Sequence, residues 1–160
     1  MNNLIDIIEP AEVKDEIRKT VVCVTNQLGC ERIIQAGAII AKISGTELEI
    51  VSVLNGSLSL DGGSALDFLF KVSRENNANM SIFYSDTPYK SLVNFIKQAR
   101  AVNVITGIPE GEASVAHSLR EKFTHISFFS VAHNGEYYPL TALQKAPSQA
   151  GGQALRPVTI

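Results

Sequence analysis

Apolar residues along this chain switch repeatedly between two periods. Thr20-Val21-Val22-Cys23-Val24-Thr25 is a short β-branched run, as expected of a strand buried on both faces. Glu31 to Ile43 follows with Ile33, Gly37, Ile40 and Ala41 on one helical stripe, and Gly45 stands where that helix should end. Glu47 to Leu54 reads as a second strand. From Ser64 to Glu75 the residues Leu66, Leu69, Phe70 and Ser73 recur at helical spacing, and Met80 to Tyr84 reads as a third strand. Asp86-Thr87-Pro88 supplies a capping residue and a first-turn proline to a helix whose buried stripe is Leu92, Phe95, Ile96 and Ala99. Val102 to Thr106 is a fourth strand, Val115, Ala116, Leu119 and Phe123 mark a fourth helix, and Ile126 to Val131 is a fifth strand.

Short apolar strands alternating with helical patterns imply βαβ units and a mainly parallel sheet. Right-handed crossovers then put helices on both faces. No linker or repeat interrupts residues 20–131, which read as one α/β domain. Residues 1–19 form an N-terminal extension with an apolar cluster, Leu4, Ile5, Ile7 and Ile8, followed by Pro10 and a charged stretch. Residues 132–160 form a C-terminal extension whose distal part, 146–160, is rich in Pro, Gly, Ser, Gln and Ala and reads as a flexible tail. Tyr137, Tyr138 and Leu140 lie between, placed to pack on the body or on a partner.

Composition narrows the function classes. Fourteen basic against sixteen acidic residues leave a net charge of −2, which argues against a nucleic-acid binder that works by neutralising phosphates. The longest apolar cluster, Ile33 to Ile43, is broken by Gln35 and Lys42, so no membrane insertion is expected. No basic residue precedes Leu4 and Ile5, as a secretory signal would require, and the expected location is cytoplasmic. Two cysteines without a CxxC spacing make no disulfide framework.

In open α/β sheets ligands gather beyond the carboxyl ends of the strands, where the winding reverses. Two loops answer to that place: Thr25, Asn26, Gln27, Leu28, Gly29 and Cys30 after strand one, and Gly107 to Ser114 after strand four. In the second, Gly107, Gly111 and Ser114 lead into a helix whose amides could receive phosphate. Glu110 and Glu112 put negative charge in the same loop, and such a loop can equally serve only to turn a strand into a helix. A phosphate-cradling G-x-x-x-x-G-K-[ST] and a dinucleotide G-x-G-x-x-G are both absent. Thr25 and Asn26 occupy the place where a receiver domain carries acidic residues. His117, His125 and His133 fall on separate elements and form no three-histidine metal site. Asp61-Gly62-Gly63-Ser64 reads as a helix entry, Cys23 as core, and Cys30 as a packed or idle thiol with no base beside it.

Val21-Val22-Cys23-Val24-Thr25, followed by Cys30-Glu31-Arg32-Ile33-Ile34, resembles the first strand and helix opening of the universal stress protein family. The nearest likeness is to the stress-protein-like domain of potassium-responsive osmosensor histidine kinases, and Gly45 to Val51 is similar to that domain's entry into strand two. The resemblance covers about two-thirds of the chain (residues 20–131) and implies a five-stranded parallel sheet in the order 3-2-1-4-5. That is the Rossmann-like, adenine-nucleotide alpha-hydrolase-like fold. It also implies a small nucleotide, with ATP, AMP or a cyclic dinucleotide as the expected ligands. Thr25, Asn26, Gln27, Gly107, Gly111 and Ser114, from the two switch-point loops, are the candidate binding residues, although the family's aspartate after strand one has no match at Thr25-Asn26. ATP-binding members resemble the pattern G-x2-G-x9-G-[ST], whereas three residues separate Gly107 from Gly111 here and no Gly-Ser pair follows. For the cyclic dinucleotide, the likeness puts Thr25 and Gln27 on a Ser-x-Ser pair and Leu48 to Ser52 on an F-T-A-x-Y strand, whose Phe and Tyr are missing here. A non-enzymatic nucleotide-binding module in signalling is therefore expected, and the alternative is a ligand-free interaction domain. An alpha-hydrolase-type enzyme lacks a visible acid, base or metal set. Relatives often dimerise through strand five, so a homodimer across Ile126, Phe128, Phe129 and Val131 is expected, unless Tyr137 to Leu140 folds back over that edge.

Overall fold

The computed structural model describes residues 17–55, 60–108 and 114–140. They form β1 (Lys19–Cys23), α1 (Glu31–Ser44), β2 (Glu47–Leu54), α2 (Leu60–Glu75), β3 (Asn79–Tyr84), α3 (Pro88–Ala99), β4 (Ala101–Gly107), α4 (Val115–Lys122), β5 (Ser127–Val131) and β6 (Tyr137–Pro139). A single 3₁₀ turn, Leu28–Cys30, leads into α1. The apolar cluster at Leu4 to Ile8, the tail and Glu110, Gly111 and Glu112 lie outside the described residues.

The sheet runs β3-β2-β1-β4-β5-β6. The first five strands pair in parallel, as the alternating periods require, and β6 pairs antiparallel with β5. This corrects two expectations: the sheet has six strands, and β5 is not its edge. Beyond the turn at Gly135 (φ 92°), Tyr137 packs its ring edge-on against Phe129 at 6.3 Å. The Leu140 amide also reaches the Phe128 carbonyl at 2.7 Å. The fold-back of Tyr137 to Leu140 is the arrangement the chain adopts.

Alternation along β1 and β4 sends successive side chains into two cores. Val22, Ile50 and Ile105 face α1 and α2, where they meet Ile33, Ile34, Ile40 and Leu69. Val21, Val51 and Val104 face α3 and α4, where they meet Leu92, Ile96 and Leu119. Helix α1 ends as its sequence predicts: Gly45 takes φ 70°, and the Thr46 amide returns to the Ala41 carbonyl at 2.9 Å. Beside that cap, Asn103 Nδ2 donates to Thr20 Oγ1 at 3.0 Å and to Ser44 Oγ at 3.1 Å, tying β4, β1 and α1 together. Helix α2 begins earlier than expected. Asp61, Gly62 and Gly63 are helical rather than a turn before the helix, because glycine weakens a helix by only about 1 kcal/mol and the buried stripe of Leu66, Leu69 and Val72 anchors the later turns.

Candidate functional site

The winding reverses between β1 and β4, since β1 pairs with β2 on one side and β4 on the other. Beyond the carboxyl ends of these strands a crevice of about 480 Å³ opens. A second concavity is lined by Asp67, Phe70, Lys71, Arg74 and Glu75, all on one face of α2 and away from the strand ends.

Of the residues the sequence singled out, Thr25, Gln27, Gly107 and Ser114 all line the crevice. Asn26 does not, although its Oδ1 is buried without a partner among the described residues. Gly111 lies outside the described residues. Local bonding explains how the others are held. The Gln27 amide donates to the Thr25 carbonyl at 2.8 Å, and the Cys30 amide to the Gln27 carbonyl at 3.1 Å, which curls the loop into the 3₁₀ turn. Cys30 is buried there, with its Sγ accepting the Thr25 amide at 3.4 Å, so it is a packed thiol. Gly107 ends β4 against α1, where an added Cβ would stand 3.3 Å from Ile33 Cδ1. Ser114 caps α4 by accepting the His117 amide at 3.2 Å.

The crevice also holds residues that sequence reasoning missed. Cys23, read as core, packs on the α3 and α4 side yet is only half-buried and lines the crevice, because it is the last residue of β1, at the strand's carboxyl end. Its sulfur is deep enough that burial pushes the thiol up to about 12. Arg32, in the first turn of α1, donates from Nε to the Ala132 carbonyl at 2.8 Å and from Nη1 to the Gly29 carbonyl at 2.6 Å. His133 follows Ala132 in the β5–β6 turn and lines the crevice; His117 and His125 do not. Among the described residues no group of His, Cys, Asp or Glu could hold a metal ion. Arg32 and His133 lie about a hundred residues apart, so no spacing signal could have joined them.

No protein-family model matches this sequence, and no curated protein matches it. Solved structures do. The universal stress protein from Archaeoglobus fulgidus is similar over 72% of this chain and 95% of its own, at TM-score 0.56 and 20% identity. The fold is that of the universal stress proteins. The complex of the A. fulgidus stress protein with dAMP is similar at TM-score 0.52 and 18% identity, covering 69% of this chain and 94% of that one. Among the described residues no helix is long and apolar enough to cross a membrane.

Proposed function

We propose that this chain is a stress-protein-like module, akin to the domain found in osmosensor histidine kinases, that binds a small nucleotide in the crevice between β1 and β4. The observation that carries the proposal is the crevice itself. It lies at the switch point of the winding, where ligands of open α/β sheets bind, and its volume suits a mononucleotide. Thr25, Gln27, Gly107 and Ser114, chosen from sequence, all line it. The dAMP complex of a structurally similar protein adds support for an adenine nucleotide, with AMP the first ligand to test and ATP or a cyclic dinucleotide next. The half-buried Cys23 thiol, held protonated, suits a binding surface rather than a nucleophile. The proposal extends to a cytoplasmic signalling role and to a homodimer, paired across β3, the longer of the two sheet edges among the described residues.

Calorimetric titration with AMP, ATP and a cyclic dinucleotide tests the binding. AMP is expected to give saturable heat at one site per chain. Gly107→Asp, which adds a side chain and a carboxylate to the wall beside Ile33, is expected to remove that heat with the circular dichroism unchanged. Silence from all three nucleotides with the unmutated chain would overturn the proposal.

A further inference from the structure

The two walls of the crevice differ in chemistry. On the α3 and α4 side, Val51, Val53, Leu92, Ala116 and Leu119 make an apolar surface. On the α1 side, Thr25, Gln27, Arg32 and His133 add polar groups beside Val24, Cys30 and Ile33. Arg32 is the one side chain with a permanent positive charge on the described crevice lining, and no described lining residue is a carboxylate. Among the described residues no carboxylate pairs with Arg32. Two carbonyls hold the guanidinium from either side, through Nε and Nη1, while Nη2 has no partner among the described residues. A cation fixed in this way has lost its rotamer freedom before any ligand arrives, and it has a donor still unused.

Ser114 is engaged as the cap of α4, and the Thr25 amide is turned to the Cys30 sulfur. We therefore infer that the crevice receives the phosphate of its ligand at Arg32, on the wall shared by α1 and the β5–β6 turn, and the ligand's planar apolar body against α3 and α4. The inference rests on the nucleotide-binding reading above and adds the ligand's direction and its anionic anchor. His133, beside Ala132 on the same turn, is placed to donate a further hydrogen bond to that phosphate.

AMP and uncharged adenosine, titrated in parallel into the full chain, separate the walls. Arg32→Gln is expected to weaken AMP about tenfold or more, the scale of one charge-assisted hydrogen bond, and to leave adenosine unchanged. Arg32→Lys keeps the charge and is expected to recover part of the AMP affinity, a recovery that loss of a merely structural tether would not give. His133→Ala, which leaves both Arg32 tethers in place, is expected to weaken AMP and not adenosine. If Arg32→Gln binds AMP as the unmutated chain does, the inference falls and the nucleotide-binding reading stands. If AMP and adenosine weaken equally, Arg32 shapes the crevice without meeting the phosphate, and the inference again falls. If the unmutated chain binds neither compound, both readings fall together.

Discussion

Cys23 titrates out of step with its unfolded form. An unfolded thiol loses its proton above the ordinary value of 9.0, while the folded one keeps it to about 12. Between those values the unfolded chain binds fewer protons than the folded chain, so the contribution of Cys23 to stability is full below pH 9 and falls as pH rises. The slope is at most about 1.4 kcal/mol per pH unit. Urea unfolding of the unmutated chain and Cys23→Ala should show the difference between them shrinking from pH 9 to 10. Parallel pH profiles would mean the thiol is open to water. The window stops short of Lys19, whose pKa burial would lower but whose hydrogen bonds and charge pairing with Glu49 and Glu47 hold above the ordinary 10.5. Ser52 makes a different prediction. Its hydroxyl is buried in β2 with no partner among the described residues, so Ser52→Ala is expected to raise stability by about 1 kcal/mol. A lower urea midpoint would show that the hydroxyl is paired.

At the scale of elements, α1 decides how the crevice is built, because it carries both Ile33, against Gly107, and Arg32, against the β5–β6 turn. The helix can lie this close to the sheet because Gly37 faces Val22, and a Cβ on Gly37 would collide with Val22 Cγ2. Gly37→Ala gains about 1 kcal/mol of helix propensity but must push apart a fully buried β-branched contact, which costs about 1–3 kcal/mol. Net destabilisation of about 1 kcal/mol is expected, together with weaker AMP binding as Arg32 shifts outward. A melting temperature at or above that of the unmutated chain would show that α1 and β1 have room to spare.

For the whole molecule, the two sheet edges are unequal. β6 is three residues long and ends in Pro139, features that discourage pairing with another chain. β3 has six residues, carries neither charge nor proline, and leaves Phe83 41% and Tyr84 62% exposed. Two-fold pairing through β3 would join two sheets into one. Light scattering at tens of micromolar should then give twice the 17.3 kDa of one chain, and Tyr84→Lys should halve it by placing a charge on the edge. A single-chain mass for the unmutated protein would remove the homodimer, and a dimer indifferent to Tyr84→Lys would move the interface off β3.

Strands β1 to β5 and the four helices were legible in sequence because burial on both faces leaves unbroken β-branched runs, and burial on one face leaves a helical stripe. Gly45 was legible as a cap, since a left-handed turn demands a particular residue type, whereas the capping role of Ser114 was not. Thr25, Gln27, Gly107 and Ser114 were legible as a group, because the resemblance implied the strand order and the switch point of a wound sheet follows from that order. β6 was not decided by its own residues. Tyr137-Tyr138-Pro139 is too short to show a period, and it becomes a strand only because β5 offers it an open ladder and Phe129 offers it a ring to pack on. The meeting of Arg32 with Ala132 and His133 was equally invisible, since one turn of a helix and one hairpin, distant in sequence, carry no shared pattern. Local periodicity determined what each segment is. Only the packing of α1 across β1, β4 and β5 decided which charge faces the crevice.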